Sequence, residues 1–173
     1  MSGSLDDRAA QMQREFDRSF ADAPRAATEV PNDLVAIRIG GDPYALRVAE
    51  IAGLHVDRSI ASVPSQIPEL LGIAGFRGSL IPVFDLGALL GYPAATAASR
   101  WLAIAAGTSI AFAFEAFDGH VRVASGEIVP CAPREAPAHV VAIARDGGQV
   151  RPIVHLPSLI EAIATRALPR SKE

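Results

Sequence analysis

Four histidines and one cysteine are among the side chains of this protein that could ligate a metal ion or take part in nucleophilic catalysis. They are His55, His120, His139, His155 and Cys131. The histidines are not spaced four residues apart, as on one helix face, and none belongs to a His-x-Glu motif, so their pattern does not predict a metal site. A cysteine nucleophile needs a base and a third group that orients the base, and no such context surrounds Cys131. We therefore expect a protein that is not an enzyme and that holds no cofactor or metal.

Only two charged residues interrupt the otherwise apolar stretch from Gly72 to Gly91. The stretch predicts a strand, a tight turn, a second strand and a short helix. Gly75 and Gly78 surround an aromatic residue and Arg77, where glycine lets the backbone take a positive φ. Asp85 precedes the apolar residues 86–90 in the position of a helix N-cap. The pattern thus predicts a hairpin whose turn carries an arginine.

Composition and charge exclude several classes of protein. The 173 residues include 16 basic and 19 acidic side chains, and half of the residues are apolar, so a sizeable core can form. Residues 1–33 hold four arginines and seven acidic residues, which leaves a neutral body without the basic face that a nucleic-acid binder needs. No apolar run reaches the ~18–20 residues that cross a bilayer, and no signal-peptide pattern is present. We expect a cytoplasmic protein.

Residues 1–33 predict an amphipathic helix followed by a linker. Apolar residues recur three and four positions apart, which places them on one helix face: Leu5, Ala9, Met12, Phe16 and Phe20. Pro24 lies beyond the helix, and residues 21–31 have the composition of a linker. The apolar face either packs on its own domain or forms a detachable arm for a partner or a second copy.

The rest of the chain, residues 34–168, contains an internal repeat. Gly72–Leu90 matches the residues seventy positions further on without a gap, with Pro82 on Pro152 and Leu86 on Leu156. We predict two copies of one β-rich unit, at roughly 34–91 and 102–165. Units of this size with about five short strands suit small closed or nearly closed barrels, which leave no long free edge.

The two copies differ at the turn and at the start of the helix. The first copy has Phe76-Arg77-Gly78 and Asp85, where the second has Asp146-Gly147-Gly148 and His155. A structural requirement common to both copies would place the same residue in both. The turn arginine is therefore predicted to serve a partner, or the interface between the copies.

These residues resemble the signature of CheW-like domains, the coupling proteins of bacterial chemotaxis arrays. The signature comprises Gly72-Ile73-Ala74-Gly75-Phe76-Arg77-Gly78, Ile81-Pro82-Val83-Phe84-Asp85-Leu86 and Leu89, and the resemblance covers residues 34 to about 165. It implies a mostly β fold of two SH3-like five-stranded β-barrels around a shared core, to which the N-terminal helix is an addition. It also implies an adaptor that bridges the cytoplasmic tip of chemoreceptors to the regulatory domain of a CheA-type histidine kinase. Such a protein associates with the membrane through receptor arrays and does not insert into it.

The resemblance also implies roles for individual residues. It assigns partner binding to Arg77, toward acidic residues of the receptor, and to Gly75, Phe76 and Gly78, which shape its turn. Asp85 matches an aspartate that we interpret as a structural helix cap. The family more often has asparagine at the position of Gly75. This departure and the N-terminal helix leave two alternatives open: a regulator that binds only one partner, or an adaptor of a chemosensory pathway unrelated to motility.

Overall fold

The computed structural model describes residues 31–93, 99–132 and 137–167. The chain divides into one unit, Met1–Val30, and a second, Pro31–Glu173, and every described residue belongs to the second. The predicted N-terminal helix, with Leu5, Met12, Phe16 and Phe20, lies outside the described residues. Among the residues that are described, no helix is long and apolar enough to cross a membrane.

Short strands dominate the described part of the chain. The strands are β1 (Asn32–Ile39), β2 (Asp42–Arg47), β3 (Ile51–Val56), β4 (Ile60–Ala61), β5 (Leu70–Phe76), β6 (Ser79–Asp85), β7 (Trp101–Ala105), β8 (Ala111–Phe114), β9 (Ala116–Val123), β10 (Ile128–Pro130), β11 (Val140–Asp146) and β12 (Gln149–Val154). The helices are α1 (Leu86–Leu89) and α2 (Leu156–Ala167), and 3-10 turns occupy Val48–Glu50 and Ser125–Glu127.

The strands form two six-stranded sheets that repeat one topology. Sheet A has the order β10-β11-β12-β2-β1-β9, and sheet B has the order β4-β5-β6-β8-β7-β3. When β1 to β6 are matched one by one with β7 to β12, the two orders coincide, which supports an internal duplication. Each sheet nevertheless contains strands from both halves of the chain, because β2 pairs in parallel with β12 and β6 pairs in parallel with β8.

The predicted mostly β fold with two subdomains is confirmed. Each sheet has six strands where the resemblance implied five. The additional strand is short in both sheets, since β4 has two residues and β10 has three. Both of these strands lie at an edge of their sheet, where shortness limits pairing with other chains.

The hydrophobic core has three parts: one enclosed by each curled sheet and one between the two sheets. One cluster of buried side chains comes only from sheet A and another only from sheet B, while the largest combines both sheets with both helices. Strand β8 contributes to two of them, because neighbouring side chains of a strand point to opposite faces. Ala111 and Ala113 face the inside of sheet B, and Phe112 and Phe114 face the shared core. All four are at most 1% exposed, so this strand has no polar face.

At the N-terminus of each helix a carboxylate accepts backbone hydrogen bonds, and this carboxylate comes from a different part of the chain in the two helices. One carboxylate oxygen of Asp85 accepts hydrogen bonds from the backbone amides two and three residues further on, at 2.9 and 3.2 Å, which is the geometry of an N-cap. His155 precedes α2 in the corresponding position. Its Nδ1 accepts a hydrogen bond from the backbone amide of Ser158 at 3.3 Å, and the amide of Leu156 donates to the carboxylate of Glu50, at 2.9 Å, from the turn between β2 and β3. The C-terminal helix is thereby joined to the first half of the chain.

Candidate protein-binding site

Arg77 lies at the tip of the hairpin that joins β5 to β6. Phe76 and Ser79 pair across the hairpin, so the turn consists of Arg77 and Gly78 alone. Both residues have a positive φ, +46° for Arg77 and +83° for Gly78. Two successive positive values are typical of a type I′ turn, whose twist matches that of the flanking strands. The turn therefore requires Gly78 or a similarly permissive residue, and it leaves Arg77 exposed at the tip.

The hairpin between β11 and β12 has the same backbone with a different sequence. Its turn residues are Gly147 and Gly148, with φ of +54° and +86°. Arg77 thus occupies a position that the second half of the chain gives to glycine. A left-handed conformation costs a residue with a side chain about 1–2 kcal/mol. Arg77 adopts this conformation in spite of that cost, which favours a function for its side chain.

Phe76 holds the turn from inside sheet B. Its side chain is 7% exposed and belongs to the core cluster of that sheet, so it offers little surface to a partner. The ring of His55, on β3, has its centroid 4.8 Å from that of Phe76. The guanidinium carbon of Arg58 lies over the same ring, 5.7 Å from its centroid, within the range of a cation–π contact. Because β3 is the edge strand on the far side of sheet B, the sheet must curl to bring His55 to Phe76, whereas Arg58 lies just before β4, which pairs with β5.

The rim of sheet B around Arg77 is positively charged. Arg58 and Arg77 are exposed, and neither has an ion pair or a hydrogen bond to another residue in the described part of the chain. The adjacent acid, Asp57, is engaged by Arg100 through two hydrogen bonds of 2.8 and 2.7 Å. Burial lowers the pKa of His55, and the charges of Arg58 and Arg77 lower it further. The rim therefore carries basic groups that no acid of the described residues neutralises.

The outward face of the same hairpin is apolar. Leu80 is 72% exposed and lies directly opposite Gly75, and the next pair on this face is Ile73 with Pro82. A Cβ at Gly75 would have no heavy atom within 4 Å, and the backbone of Gly75 does not have a positive φ. The strand therefore does not require glycine at this position. Its absence of a side chain leaves Leu80 without cover from the neighbouring strand.

Sequence reasoning did not find three of the residues around Arg77. The structure brings His55 and Arg58 to the hairpin and exposes Leu80 on its outward face. The strand alternation that buries Ile81 indicates an outward Leu80. No local pattern marks His55 and Arg58, because the curl of sheet B brings β3 to Phe76 and the pairing of β4 with β5 brings Arg58 there.

The other candidate residues lie away from this rim. Asp85 caps α1, as described above. His139 and His155 lie near the start of α2, where the side chain of Ser158 is 2.9 Å from Nδ1 of His139. Within residues 31–93, 99–132 and 137–167, no group of three or more histidine, cysteine or acidic side chains could hold a metal ion.

Comparisons with known proteins bear on the identity of this fold. The family model of the CheW-like domain matches residues 33–164. The chain is 25% identical, over 84 residues, to a protein of Rhizobium etli described as a probable chemotaxis protein CheW. This match covers 49% of this chain and 54% of that protein, so it spans about half of the relative's length. The fold is similar to that of the scaffolding protein TtCheW from Thermoanaerobacter tengcongensis, with a TM-score of 0.69 and 23% identity over 76% of this chain and 94% of that one. Because the family model matches far more than half of the residues, this chain belongs to the family of CheW-like domain proteins.

Proposed function

We propose that this protein is a non-enzymatic adaptor that couples the cytoplasmic tip of chemoreceptors to the regulatory domain of a CheA-type histidine kinase. Membership of the CheW-like family supports this role, as do the similarities to a probable chemotaxis protein and, in fold, to a scaffolding protein. The single observation that supports a role for a particular residue is the environment of Arg77. This residue is exposed and, among the described residues, unpaired, in a left-handed turn where the second half of the chain has glycine.

An adaptor of this kind acts through proximity. One surface holds the kinase and another holds the receptor, and the tether converts their encounter into an intramolecular event with a high effective concentration. Such a role requires exposed surfaces that the fold itself does not need. The Arg77 turn meets this requirement, since Gly147 and Gly148 build the same turn without a charge.

The side chain of Arg77 suits a carboxylate of the partner. Its planar guanidinium can donate two parallel hydrogen bonds to one carboxylate, which a lysine cannot do. A charge-assisted pair of this kind contributes on the order of 1.5–3 kcal/mol. The neighbouring Leu80, 72% exposed in the free protein, supplies apolar surface next to the charge.

Arg77→Gly is expected to weaken receptor binding by roughly tenfold to a hundredfold, the equivalent of losing one charge-assisted hydrogen bond. The same variant is expected to be at least as stable as the wild type, because glycine adopts a φ of +46° without steric cost. Arg77→Glu reverses the charge and is expected to weaken binding further. The measurement is a three-component pull-down of the purified protein, a CheA-type regulatory domain and a receptor tip fragment, with thermal unfolding of each variant.

Arg145→Ser is the matched control, since Arg145 is exposed, lies in the β11–β12 hairpin two residues before its turn and has no ion pair among the described residues. Its complex should retain both partners. Full retention of both partners by Arg77→Glu would exclude Arg77 from the interface. A wild-type protein that retains only one partner would contradict bridging and identify a regulator of that partner.

A further inference from the structure

Most arginines in the described part of the chain are paired with a carboxylate. The pairs join Arg38 and Arg151 to Asp118, Arg47 to Glu50, Arg100 to Asp57, Arg122 to Asp33 and Arg166 to Glu69. Among the described residues, Arg58, Arg77 and Arg145 have no such partner. Two of these three, Arg58 and Arg77, lie at the same rim of sheet B.

The ring of Phe76 brings this rim together. It contacts the ring of His55 at 4.8 Å, with an angle of 59° between the two planes, and it lies under the guanidinium of Arg58 at 5.7 Å. Arg77 follows Phe76 in the chain, and its charge acts on His55. The charged groups that face His55 are thus both basic, and the nearest acid along the chain, Asp57, is held by its own arginine.

The fold does not require this concentration of positive charge. The matching hairpin of sheet A has Asp146 in place of Phe76 and Gly147 in place of Arg77. The one buried arginine inside sheet A, Arg151, is paired with Asp118. Among the described residues, sheet A thus has a single arginine without an acidic partner, Arg145 on β11, whereas two such arginines lie together at the rim of sheet B.

We propose that His55, Arg58 and Arg77 form one carboxylate-binding site for an acidic segment of a partner protein, with Phe76 as the platform that orients the first two. The site rests on the proposed function for the kind of partner, a protein of the signalling assembly. It goes beyond that function by assigning His55 and Arg58, which lie outside the hairpin. Arg58 and Arg77 would donate hydrogen bonds to the carboxylates, and His55 would do so when protonated.

The site makes binding dependent on pH through His55. In the free protein the pKa of His55 is below its ordinary value of 6.5, because of burial and of the two arginines. A bound carboxylate favours the protonated ring and raises this pKa, so the complex takes up a proton. Affinity should therefore increase as the pH falls from the bound pKa to the free pKa, and should level off below the free value. Each unit by which the bound carboxylate raises the pKa of His55 corresponds to about a tenfold gain in affinity.

The test is an NMR titration of the full chain in which the Cε1–H signal of His55 is followed with pH. The probe is a hexaglutamate peptide with blocked termini, and hexaglutamine of the same length is its uncharged control. We expect saturable binding of hexaglutamate and an upward shift of the His55 midpoint, with no effect of hexaglutamine. Arg58→Ser is expected to weaken binding by about fivefold or more, as for the loss of a charged hydrogen-bond donor, whereas Arg145→Ser leaves it unchanged. His55→Gln should still bind and should lose the pH dependence.

Three outcomes would overturn the site: no binding of hexaglutamate, equal losses in Arg58→Ser and Arg145→Ser, or a His55 midpoint that the peptide does not move. Each of these is separable from a failure of the adaptor role. A ternary complex in the pull-down without hexaglutamate binding would reject the site and leave the adaptor role standing. Site-specific hexaglutamate binding by a protein that does not bridge kinase and receptor would support the site and reject the adaptor role.

Discussion

Replacement of Gly72 by alanine is expected to lower the free energy of unfolding by about 3–4 kcal/mol. Gly72 has a φ of +147°, and a Cβ at this position would overlap the backbone carbonyl of Ala61 in β4. Because that neighbour is backbone, it cannot rotate aside as a flexible side chain would, and β4 would have to separate from β5. Urea unfolding, followed by the fluorescence of Trp101, measures the change. Trp101 is a suitable reporter because its ring packs on Phe117, with centroids 5.0 Å apart, and so links the two sheets.

Gly75→Ala is the matched control in the same strand. No heavy atom lies within 4 Å of a Cβ at Gly75, and its φ is not positive. Its free energy of unfolding should stay within about 0.5 kcal/mol of the wild type. Equal losses in the two variants would attribute the effect to strand propensity and would contradict the role of the contact between Gly72 and Ala61.

Asp118→Ala is expected to lower the free energy of unfolding by about 2–4 kcal/mol, because it leaves a buried arginine without its counter-charge. Arg151 is 5% exposed, and its Nη2 donates to Asp118 at 3.2 Å and to Gln149 at 2.6 Å. Its Nε and Nη1 are buried without a hydrogen-bond partner among the described residues. The side chain of Asp118 is 21% exposed, which places the loss below that of a fully buried pair.

The internal repeat supplies the test of this explanation. Ile81 stands seventy positions before Arg151 and is also 5% exposed, but inside sheet B. Arg151→Ile should be neutral or stabilising, since a buried ion pair can often be replaced by apolar packing. In the Arg151→Ile background, Asp118→Ala should cost much less than alone, which a double-mutant cycle measures by urea unfolding. An equal cost in both backgrounds would show that Asp118 acts through Arg38 or the backbone and not through Arg151.

The sequence by itself determined the local elements of this protein. Glycine and strand patterning predicted the β5–β6 hairpin, and the match at an offset of seventy placed Gly147 opposite Arg77, where the structure has left-handed residues in both turns. The aspartate before an apolar run predicted the cap that Asp85 provides for α1. The hairpin and the helix cap each depend on residues a few positions apart, so their backbone preferences can be read directly from the sequence.

Only the tertiary structure decided which strands share a sheet and which side chains meet. The repeats suggested one barrel for each copy, whereas β1 and β2 lie in sheet A with β9 to β12. Strands such as β8, which are buried on both faces, show no polar alternation that would assign either face to a partner. The contacts of Glu50 with α2, of Asp118 with Arg151, and of His55 with Phe76 all follow from that exchange of strands or from the curl of the sheets. They join residues far apart in the chain, and their geometry comes from packing, which no local pattern encodes.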